Sequence, residues 1–427
     1  MRGNEFWALN WLRFSLALYI VLYHTLNGHY KALEGTWIGA ALDLGNIATT
    51  VFFVLSGFLL THVYAVLKDA RHMNKKSFFV ARFSSLYPLH LIGLFLALIP
   101  AFLTIYVRGG ISVPVDTFGL ETRMLGQEDV LLAAVTSFAL LNAWNPYYTI
   151  LNGPSWSLSA LACYYALFPF IAPKLYRMKS PALGLAVLGV FFCLPGIVAD
   201  LLHRTDLFTD GLLHHNPLIR LPLFISGMVL CMLFVRTSKL KPLPLQLALL
   251  GVIVVVTFLG AVYLRMEGLQ NYHSIRNGMY LPAALALVWL CAYVPQSVNT
   301  KVKYWGARLG GASLPMFFLH VPLFQLFSKV EKIVAGYINA TSTTSLSSVI
   351  SAAQDVHQAL IVYPLYLAPL VITCVVLQEK FVVPMQARIR QYFLNDKAHS
   401  TAAESKAVHL PATDLSEYGP MTRDAVK

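Results

Sequence analysis

The chain has 427 residues, of which 57% are hydrophobic and 12% are charged, and its formal net charge is +12. This composition, with a mean hydropathy of +0.61, excludes a soluble globular domain and is typical of a polytopic membrane protein. The positive charge therefore indicates a bias that orients the chain in a bilayer, and no nucleic-acid partner is expected. The five cysteines stand singly in the sequence, so neither a disulfide framework nor a metal site is expected.

Apolar stretches of about 20 residues, long enough to cross a bilayer as helices, follow one another along the chain. They cover residues 6–27, 44–66, 83–106, 156–173, 182–199, 217–236, 244–264, 277–295, 312–328 and 359–378. The sequence therefore predicts an all-α fold over residues 1–380, a polytopic integral-membrane helical bundle of about ten transmembrane helices. Residues 381–427 are polar and predict a cytosolic tail largely without regular structure, and the Ser/Thr-rich segment 339–351 predicts a flexible loop.

One further apolar segment, DVLLAAVTSFALLNAWN over residues 129–145, begins with an acid and is shorter than a span. We interpret it as a re-entrant or interfacial helix. With ten spans and a cytosolic N-terminus, 22 of the 32 lysines and arginines fall on the cytosolic side and eight on the opposite side. This distribution follows the positive-inside rule, so both termini are expected in the cytosol and the protein in the plasma (inner) membrane. Counting 129–145 as a further span would destroy the bias.

The first span contains WLRFSLALYIVLYH over residues 11–24, with two basic residues, Arg13 and His24. Eleven residues of α-helix make about three turns, which places both side chains on one face about 16 Å apart. An arginine inside the membrane costs about 2.5–3.5 kcal/mol, and no Asp or Glu falls within the ten spans. A bound anion such as phosphate would supply the missing charge to the guanidinium. The alternative is that Arg13 snorkels or bonds backbone carbonyls, and that His24 is a satisfied polar group between helices.

Five short motifs occur in order along the chain. They are Arg13-x10-His24, FFVLSGFLLT (52–61), RFSSLYP (82–88), WSLS (156–159) and SLPMFFLHVPLF (313–324). Through these motifs the chain resembles the membrane acyltransferase-3 family over about residues 5–380. The resemblance implies a ten-span protein that takes an acyl group, usually acetyl, from cytosolic acyl-CoA. It also implies transfer of that group to a hydroxyl of a sugar or related acceptor at or beyond the outer face of the membrane.

The resemblance implies roles for single residues as well. His24 matches the family's essential histidine and would act as the general base. Arg13 matches the partner arginine of that histidine, and Arg82 matches the first arginine of an R-x-x-R element, so both would help to bind or support the donor. Ser56 matches the S-G-F element and is a weaker candidate.

Three positions depart from the family pattern. Asn10 stands where an aspartate is frequent, Ser85 where the second arginine is usual, and Leu161 where an acid is usual. These departures remove charges from the expected site. With these charges absent, the enzyme would transfer either acetyl or another acyl group.

Other side chains are weaker candidates on the residues alone. His320 lies mid-span beside Pro315 and Pro322, and it is either a second site residue or an ordinary polar contact between helices. Trp156 belongs to a set of aromatic residues at the outer ends of the spans, which would stack on a sugar or form the interfacial belt. Arg220, near the outer end of its span, is expected to snorkel.

The function that fits these residues best is that of a membrane O-acyltransferase. Its donor would be acyl-CoA, usually acetyl-CoA, its acceptor a carbohydrate or other hydroxyl-bearing compound, and its surroundings the lipid bilayer and polysaccharide assembly proteins. Direct transfer and an acyl-histidine intermediate both fit, and we favour direct transfer. The alternatives are a transporter or flippase, and a non-catalytic member of a polysaccharide assembly system. Coupled carriers commonly place carboxylates within their spans, and this sequence has none there.

Overall fold

The computed structural model describes residues 6–26, 29–67, 73–114, 122–237, 243–269, 272–295, 298–339 and 359–394. In these ranges the chain is almost entirely helical. The α-helices are, in chain order, α1 (Trp7–Leu26), α2 (Trp37–Leu42), α3 (Gly45–Thr61), α4 (Lys75–Arg108), α5 (Gln127–Phe138), α6 (Trp156–Tyr176), α7 (Pro181–Leu201), α8 (Leu207–His215), α9 (Pro217–Thr237), α10 (Pro244–Met266), α11 (Tyr280–Tyr293), α12 (Thr300–Asn339), α13 (Pro364–Leu377) and α14 (Val383–Leu394). An antiparallel hairpin of β1 (Ile111–Pro114) and β2 (Thr122–Leu125) follows α4.

Nine helical segments of the described chain are long and apolar enough to cross a membrane. They run over residues 37–64, 75–108, 153–176, 181–201, 207–237, 244–266, 275–293, 300–338 and 360–394. These segments correspond to nine of the ten predicted spans, and the predicted helical membrane bundle is confirmed.

The first predicted span corresponds to α1, which is not among those nine segments although its 20 residues make it long enough. Its polar residues, Arg13 and His24 among them, lower its hydropathy. α1 packs against α12 and α3, and Ala17 and Val21 in its middle are fully buried. The helix with the two basic residues therefore lies inside the bundle, where protein surrounds much of its surface.

The apolar segment 129–145 does not cross the bundle. Only Gln127–Phe138 forms an α-helix, and its 12 residues extend about 18 Å against a hydrocarbon core of about 30 Å. The chain then turns at Leu140, whose φ is 56°. Ser159, in the first turn of α6, donates from its hydroxyl to the Leu140 carbonyl oxygen at 2.5 Å. The prediction that this segment is not a span is confirmed.

α3 and α9 pack backbone to backbone at two glycines. A Cβ on Gly57 would lie 2.0 Å from the carbonyl oxygen of Phe224, and a Cβ on Gly227 would lie 1.9 Å from that of Val54. Both distances are far below van der Waals contact, so no larger residue fits at either position unless the helices separate. This close approach gives a physical reason for the glycine of the S-G-F element, and it positions the neighbouring Ser56 within the bundle.

α12 is the longest described helix, at 40 residues, and it extends well past the predicted span of 312–328. Pro322 lies within it and has no N–H with which to bond the carbonyl oxygen of Phe318. Asn152 supplies the missing donor, because its Nδ2 lies 2.9 Å from that oxygen. Pro322 thus leaves the Phe318 carbonyl without a donor from its own helix, and the hydrogen bond from Asn152 attaches the segment before α6 to α12.

The predicted membrane unit of residues 1–380 is followed by one more described helix. α13 continues through the turn Gln378–Val382 into α14, and α14 packs against α4. Residues 395–427 of the predicted tail and residues 340–351 of the predicted Ser/Thr-rich loop lie outside the described residues.

Candidate active site

A cavity of about 170 Å³ lies inside the bundle. Arg13 of α1, Ser56 of α3 and Arg82 of α4 all line it, together with side chains from α6 and α12. Much of its wall is apolar, and Phe52 and Phe53 contribute to that wall. The structure therefore brings together three of the residues that the sequence singled out, from three helices that are separate in the chain.

The two arginines of the cavity are held differently. Arg82 donates from Nη2 to the hydroxyl oxygen of Tyr64 at 3.2 Å, and its guanidinium lies 5.4 Å from the centroid of the Tyr64 ring. Arg13 forms no hydrogen bond or salt bridge with any residue that the structure describes. No Asp or Glu belongs to the described lining of the cavity. Two like charges that face one cavity repel each other, so an anion between them is favoured.

Two of the three departures from the family pattern also fall in this cavity, because Ser85 and Leu161 both line it. An arginine at 85 and an acid at 161 would carry opposite charges, so the two departures together leave the net charge of the cavity unchanged. Gln378 lines the cavity too, and its Oε1 is buried with no hydrogen-bond partner among the described residues. This oxygen is available to accept a hydrogen bond from a ligand.

His24 lies about three turns along α1 from Arg13 and is not among the residues that line the cavity. Its ring contacts those of Tyr23 and His320, with centroids 4.6 and 5.4 Å apart. The sequence singled out His24 and His320 separately, and the structure places them side by side. Within the described ranges, no group of three or more His, Cys, Asp or Glu side chains is arranged to hold a metal ion.

Phe317 marks the boundary between the cavity and the histidine pair. It lines the cavity, and its ring contacts His320 at a centroid distance of 6.0 Å and Phe52 at 6.2 Å. Phe317 therefore lies between the Phe52 side of the cavity wall and His320. Arg13 lines the cavity and His24 does not, and Phe317 is the residue that both lines the cavity and contacts the histidine pair.

Trp156 is buried, with 7% of its surface exposed. Its ring packs against those of His214 and His215, at centroid distances of 5.0 and 5.2 Å. Trp156 is therefore neither an open surface for a sugar nor part of an interfacial belt. The two histidines lie at the end of α8, a helix that the sequence did not predict. The signal that could have identified them is the sequence HHNP at 214–217, directly before the span of α9.

Arg220 does not snorkel, because only 3% of it is exposed. Its Nε donates to the carbonyl oxygen of His214 at 3.1 Å, and its Nη2 donates to Nδ1 of the same residue at 3.2 Å. A guanidinium only donates hydrogen bonds, so Nδ1 of His214 accepts and the ring proton lies on Nε2. The snorkelling prediction was wrong because α8 supplies acceptors inside the bundle.

Near the ends of α2, α8 and α10, acidic and basic side chains are paired. Asp43, directly after α2, forms a salt bridge with Arg265 of α10. Asp210 of α8 forms another with Arg276, before α11, at 2.5 Å. These pairs connect segments that are distant in the chain, so we expect them to stabilise the fold.

The fold is that of a multi-pass helical membrane protein, and its interior holds a cavity lined by two arginines and, near it, a pair of histidines in contact. A family profile described as an acyltransferase domain matches residues 6–378. The chain therefore belongs to the acyltransferase-3 family and is an acyl-transferring enzyme of the membrane, which confirms the family that the motifs indicated.

Two curated relatives are similar to the chain over different lengths. Acyltransferase MdmB of Streptomyces mycarofaciens is 26% identical over 354 residues, which cover 79% of this chain and 84% of that protein. Protein 2 in picA locus, of Rhizobium radiobacter, is 35% identical over 119 residues, which cover 26% of this chain and 58% of that protein. No solved structure matches the chain significantly.

Proposed function

We propose that this enzyme moves an acyl group, acetyl in the simplest case, from cytosolic acyl-CoA to a hydroxyl of a glycan or related acceptor at the outer side of the membrane. Arg13 and Arg82 bind phosphates of the donor, and His24 is the general base. The enzyme lies in the plasma (inner) membrane with both termini in the cytosol. Where the acceptor is an envelope polysaccharide, assembly proteins present it to the outer face.

One observation carries this proposal, namely that Arg13 lines a cavity inside the bundle with no acidic partner in the described chain. Burial of a charge without an opposite charge costs several kcal/mol, on the order given by desolvation of an ion. Bidentate hydrogen bonds to a phosphate would provide the opposite charge. Acyl-CoA carries phosphates at one end and its thioester at the other, so it fits a cation and a base about 16 Å apart on one helix face.

The reaction needs a proton acceptor at the far end of that donor. His24 takes the proton of the acceptor hydroxyl while the hydroxyl oxygen attacks the thioester carbonyl carbon. The C–O bond forms, the C–S bond breaks, and CoA leaves as a thiolate that takes the proton from His24. The products are an ester and free CoA, so transfer consumes no net proton. We favour this direct route over an acyl-histidine intermediate because it needs a base and no second covalent step.

The proposal is tested in a strain that lacks the gene and is complemented with tagged wild-type or variant protein. The cells receive 13C-labelled acetate, and surface glycans and secreted compounds are analysed by mass spectrometry. We expect a labelled acyl ester that is present with the wild type and absent from the deletion strain. His24→Ala should reduce it by about 10²- to 10⁴-fold, the usual worth of a general base, while the protein remains in the membrane at normal abundance.

The matched control is His203→Asn, since His203 is exposed in the loop after α7 and its φ of 49° suits asparagine. This variant should keep the ester at the wild-type level. Normal acylation with His24→Ala would contradict the role of His24, and identical ester profiles with and without the gene would contradict the proposed reaction.

A further inference from the structure

His320 is held in one tautomer inside α12. It is 0% exposed, and its Nδ1 lies 2.9 Å from the backbone carbonyl oxygen of Met316. A carbonyl oxygen only accepts hydrogen bonds, so Nδ1 carries the proton and donates it. The other ring nitrogen, Nε2, therefore carries a lone pair. The hydroxyl of Tyr366 donates to the backbone oxygen of His320 at 2.7 Å, which also fixes this part of α12.

The lone pair of His320 has no partner within the described chain, although Nε2 is buried. A buried acceptor without a hydrogen bond costs about 1–3 kcal/mol, so it indicates a donor that binds there at another stage. The titratable ring in contact with His320 is that of His24, at a centroid distance of 5.4 Å. The aromatic ring of Phe317 lies at 6.0 Å and offers no polar donor. His24 is thus the side chain placed to supply the hydrogen.

We propose that His320 is a positioning residue whose Nε2 accepts a hydrogen bond from a ring N–H of His24. This bond leaves the lone pair of His24 on its other nitrogen, directed at the acceptor hydroxyl. The bond forms in the complex with substrates, in keeping with catalytic hydrogen bonds that tighten only once substrate is bound. The inference rests on the proposed function, because it gives His320 a role only if His24 is the base.

The need for such a residue follows from the two tautomers of imidazole. A neutral histidine with no partner presents either an N–H or a lone pair to the acceptor, and only the lone pair can take its proton. Loss of the orienting group in a Ser-His-Asp triad lowers kcat by about 10⁴-fold. A neutral imidazole orients less strongly than a carboxylate, so we expect a smaller loss here, roughly 100-fold on that scale.

The test uses two substitutions that each keep one half of the His320 ring. In His320→Gln the side-chain amide reaches the position of Nε2 and supplies an acceptor there. In His320→Asn the amide reaches only the position of Nδ1, so it keeps the bond to Met316 and removes the acceptor. Full-length protein in nanodiscs is assayed with [14C]acetyl-CoA and, as the acceptor, a glycan extract of the deletion strain. Rates are divided by the amount of protein that elutes as a single folded peak.

We expect His320→Gln to stay within about tenfold of the wild type and His320→Asn to lose roughly 100-fold in kcat, with the KM for acetyl-CoA unchanged in both. A structural role through the Met316 bond would give the opposite order, and equal losses in both variants would indicate packing alone. Either result overturns the proposal. His24→Ala is measured in parallel, because activity in that variant would contradict the proposed function itself rather than the role of His320.

A third variant covers the case in which either amide variant fails to fold. His320→Ala leaves a space the size of an imidazole, and free imidazole brings a lone pair to it. Pyrrole has the same shape and an N–H but no free acceptor. Recovery of kcat with imidazole and not with pyrrole is the expected result, and equal recovery with both, or with neither, would overturn the proposal.

Discussion

The arginines near the helix ends and Arg13 in the cavity differ in whether an acid lies beside them, and this difference separates support of the fold from the proposed binding of the donor. Near the helix ends, Arg265 and Arg276 each contact an aspartate. In the cavity, Arg13 has no acid among the described residues, and neither Asp nor Glu contributes to the described lining. A paired arginine brings its counter-charge with it. Arg220, which is also buried, is held by the acceptors of His214, whereas Arg13 has no such acceptor in the described chain, and under the proposed function its counter-charge arrives with the donor.

The sharpest test of this comparison is Arg13→Ala, which should affect activity and leave folding intact. Charge-assisted hydrogen bonds are worth about 1.5–3 kcal/mol each, so the KM for acetyl-CoA should rise roughly 10- to 100-fold at an unchanged kcat. Because no protein acid loses its partner, the unfolding temperature should stay the same or rise. Kinetics with [14C]acetyl-CoA and thermal unfolding in detergent measure the two effects. Arg108→Ala, at the exposed end of α4, should change neither.

The next largest effect concerns the packing of α3 against α9, because α3 contributes Ser56 to the cavity that Arg13 lines. Gly57→Ala would place a Cβ 2.0 Å from the carbonyl oxygen of Phe224, so α3 and α9 must separate, at a cost of about 2 kcal/mol. Gly251→Ala on α10, where nothing lies within 4 Å, is the control and should stabilise the helix by up to about 1 kcal/mol. Equal unfolding temperatures for the two variants would contradict the close packing.

Asp210→Asn tests the arginines that are paired with an acid, because it removes the charge that faces Arg276. The side chains of Arg276 and Asp210 are 21% and 19% exposed, so loss of the charge should lower the free energy of unfolding by about 1.5 kcal/mol, below the value for a fully buried pair. Activity per folded molecule should not change. The control is Glu267→Gln, an exposed acid after α10, and thermal unfolding is again the measurement. A loss of activity without a loss of stability would place Asp210 on the ligand-binding side of the comparison.

The smallest expected effect is at the start of α8, which carries His214 and Asp210. Asp206 accepts from the backbone N–H of Thr209 at 2.9 Å, and this bond lowers the pKa of the Asp206 carboxyl below its usual range. Asp206→Ala should cost about 1 kcal/mol, the usual worth of a helix cap. Because the folded-state pKa is lowered, the ionised cap contributes fully above the unfolded value of about 3.9 and its contribution is lost as the pH falls through the folded value.

Thermal unfolding at a series of pH values measures this cap, and Asp206→Asn is the matched control. Asparagine caps a helix about as well as aspartate, so this variant should keep most of the stability and lose the dependence on pH. A difference between the wild type and Asp206→Ala that persists at the lowest pH would show that the carboxylate charge is not involved.

The layout of the spans followed from the sequence because hydrophobic length and charge bias are local properties that a bilayer selects directly. α1 shows where this reasoning weakens. Its polar residues lower its hydropathy, and only packing against α12 and α3 explains how it is accommodated. The glycine at position 57 was visible as part of a motif, yet the carbonyl that it contacts belongs to α9 and could not be identified before the helices were placed.

The site was only partly predictable for the same reason. The motifs singled out Arg13, His24 and Arg82, but the contact between His24 and His320 joins α1 and α12, which are far apart in the chain. Arg220 was expected to reach solvent, because its acceptor on His214 lies in a helix of nine residues, far too short to be recognised as a span. Contacts between side chains of different helices depend on how the bundle packs, and the sequence of a single span does not determine that packing.

The aromatic rings of Phe52 and Phe317 have a consequence for the cell as well as for the reaction. Under the proposed function, a cytosolic donor meets an external acceptor, and the protein must not open a continuous file of water through the bilayer, since such a file would leak ions and dissipate the proton gradient. The apolar rings of Phe52 and Phe317 line the arginine cavity, and Phe317 contacts His320, so they would interrupt such a file. Permeability to small ions should therefore stay low while acyl groups pass.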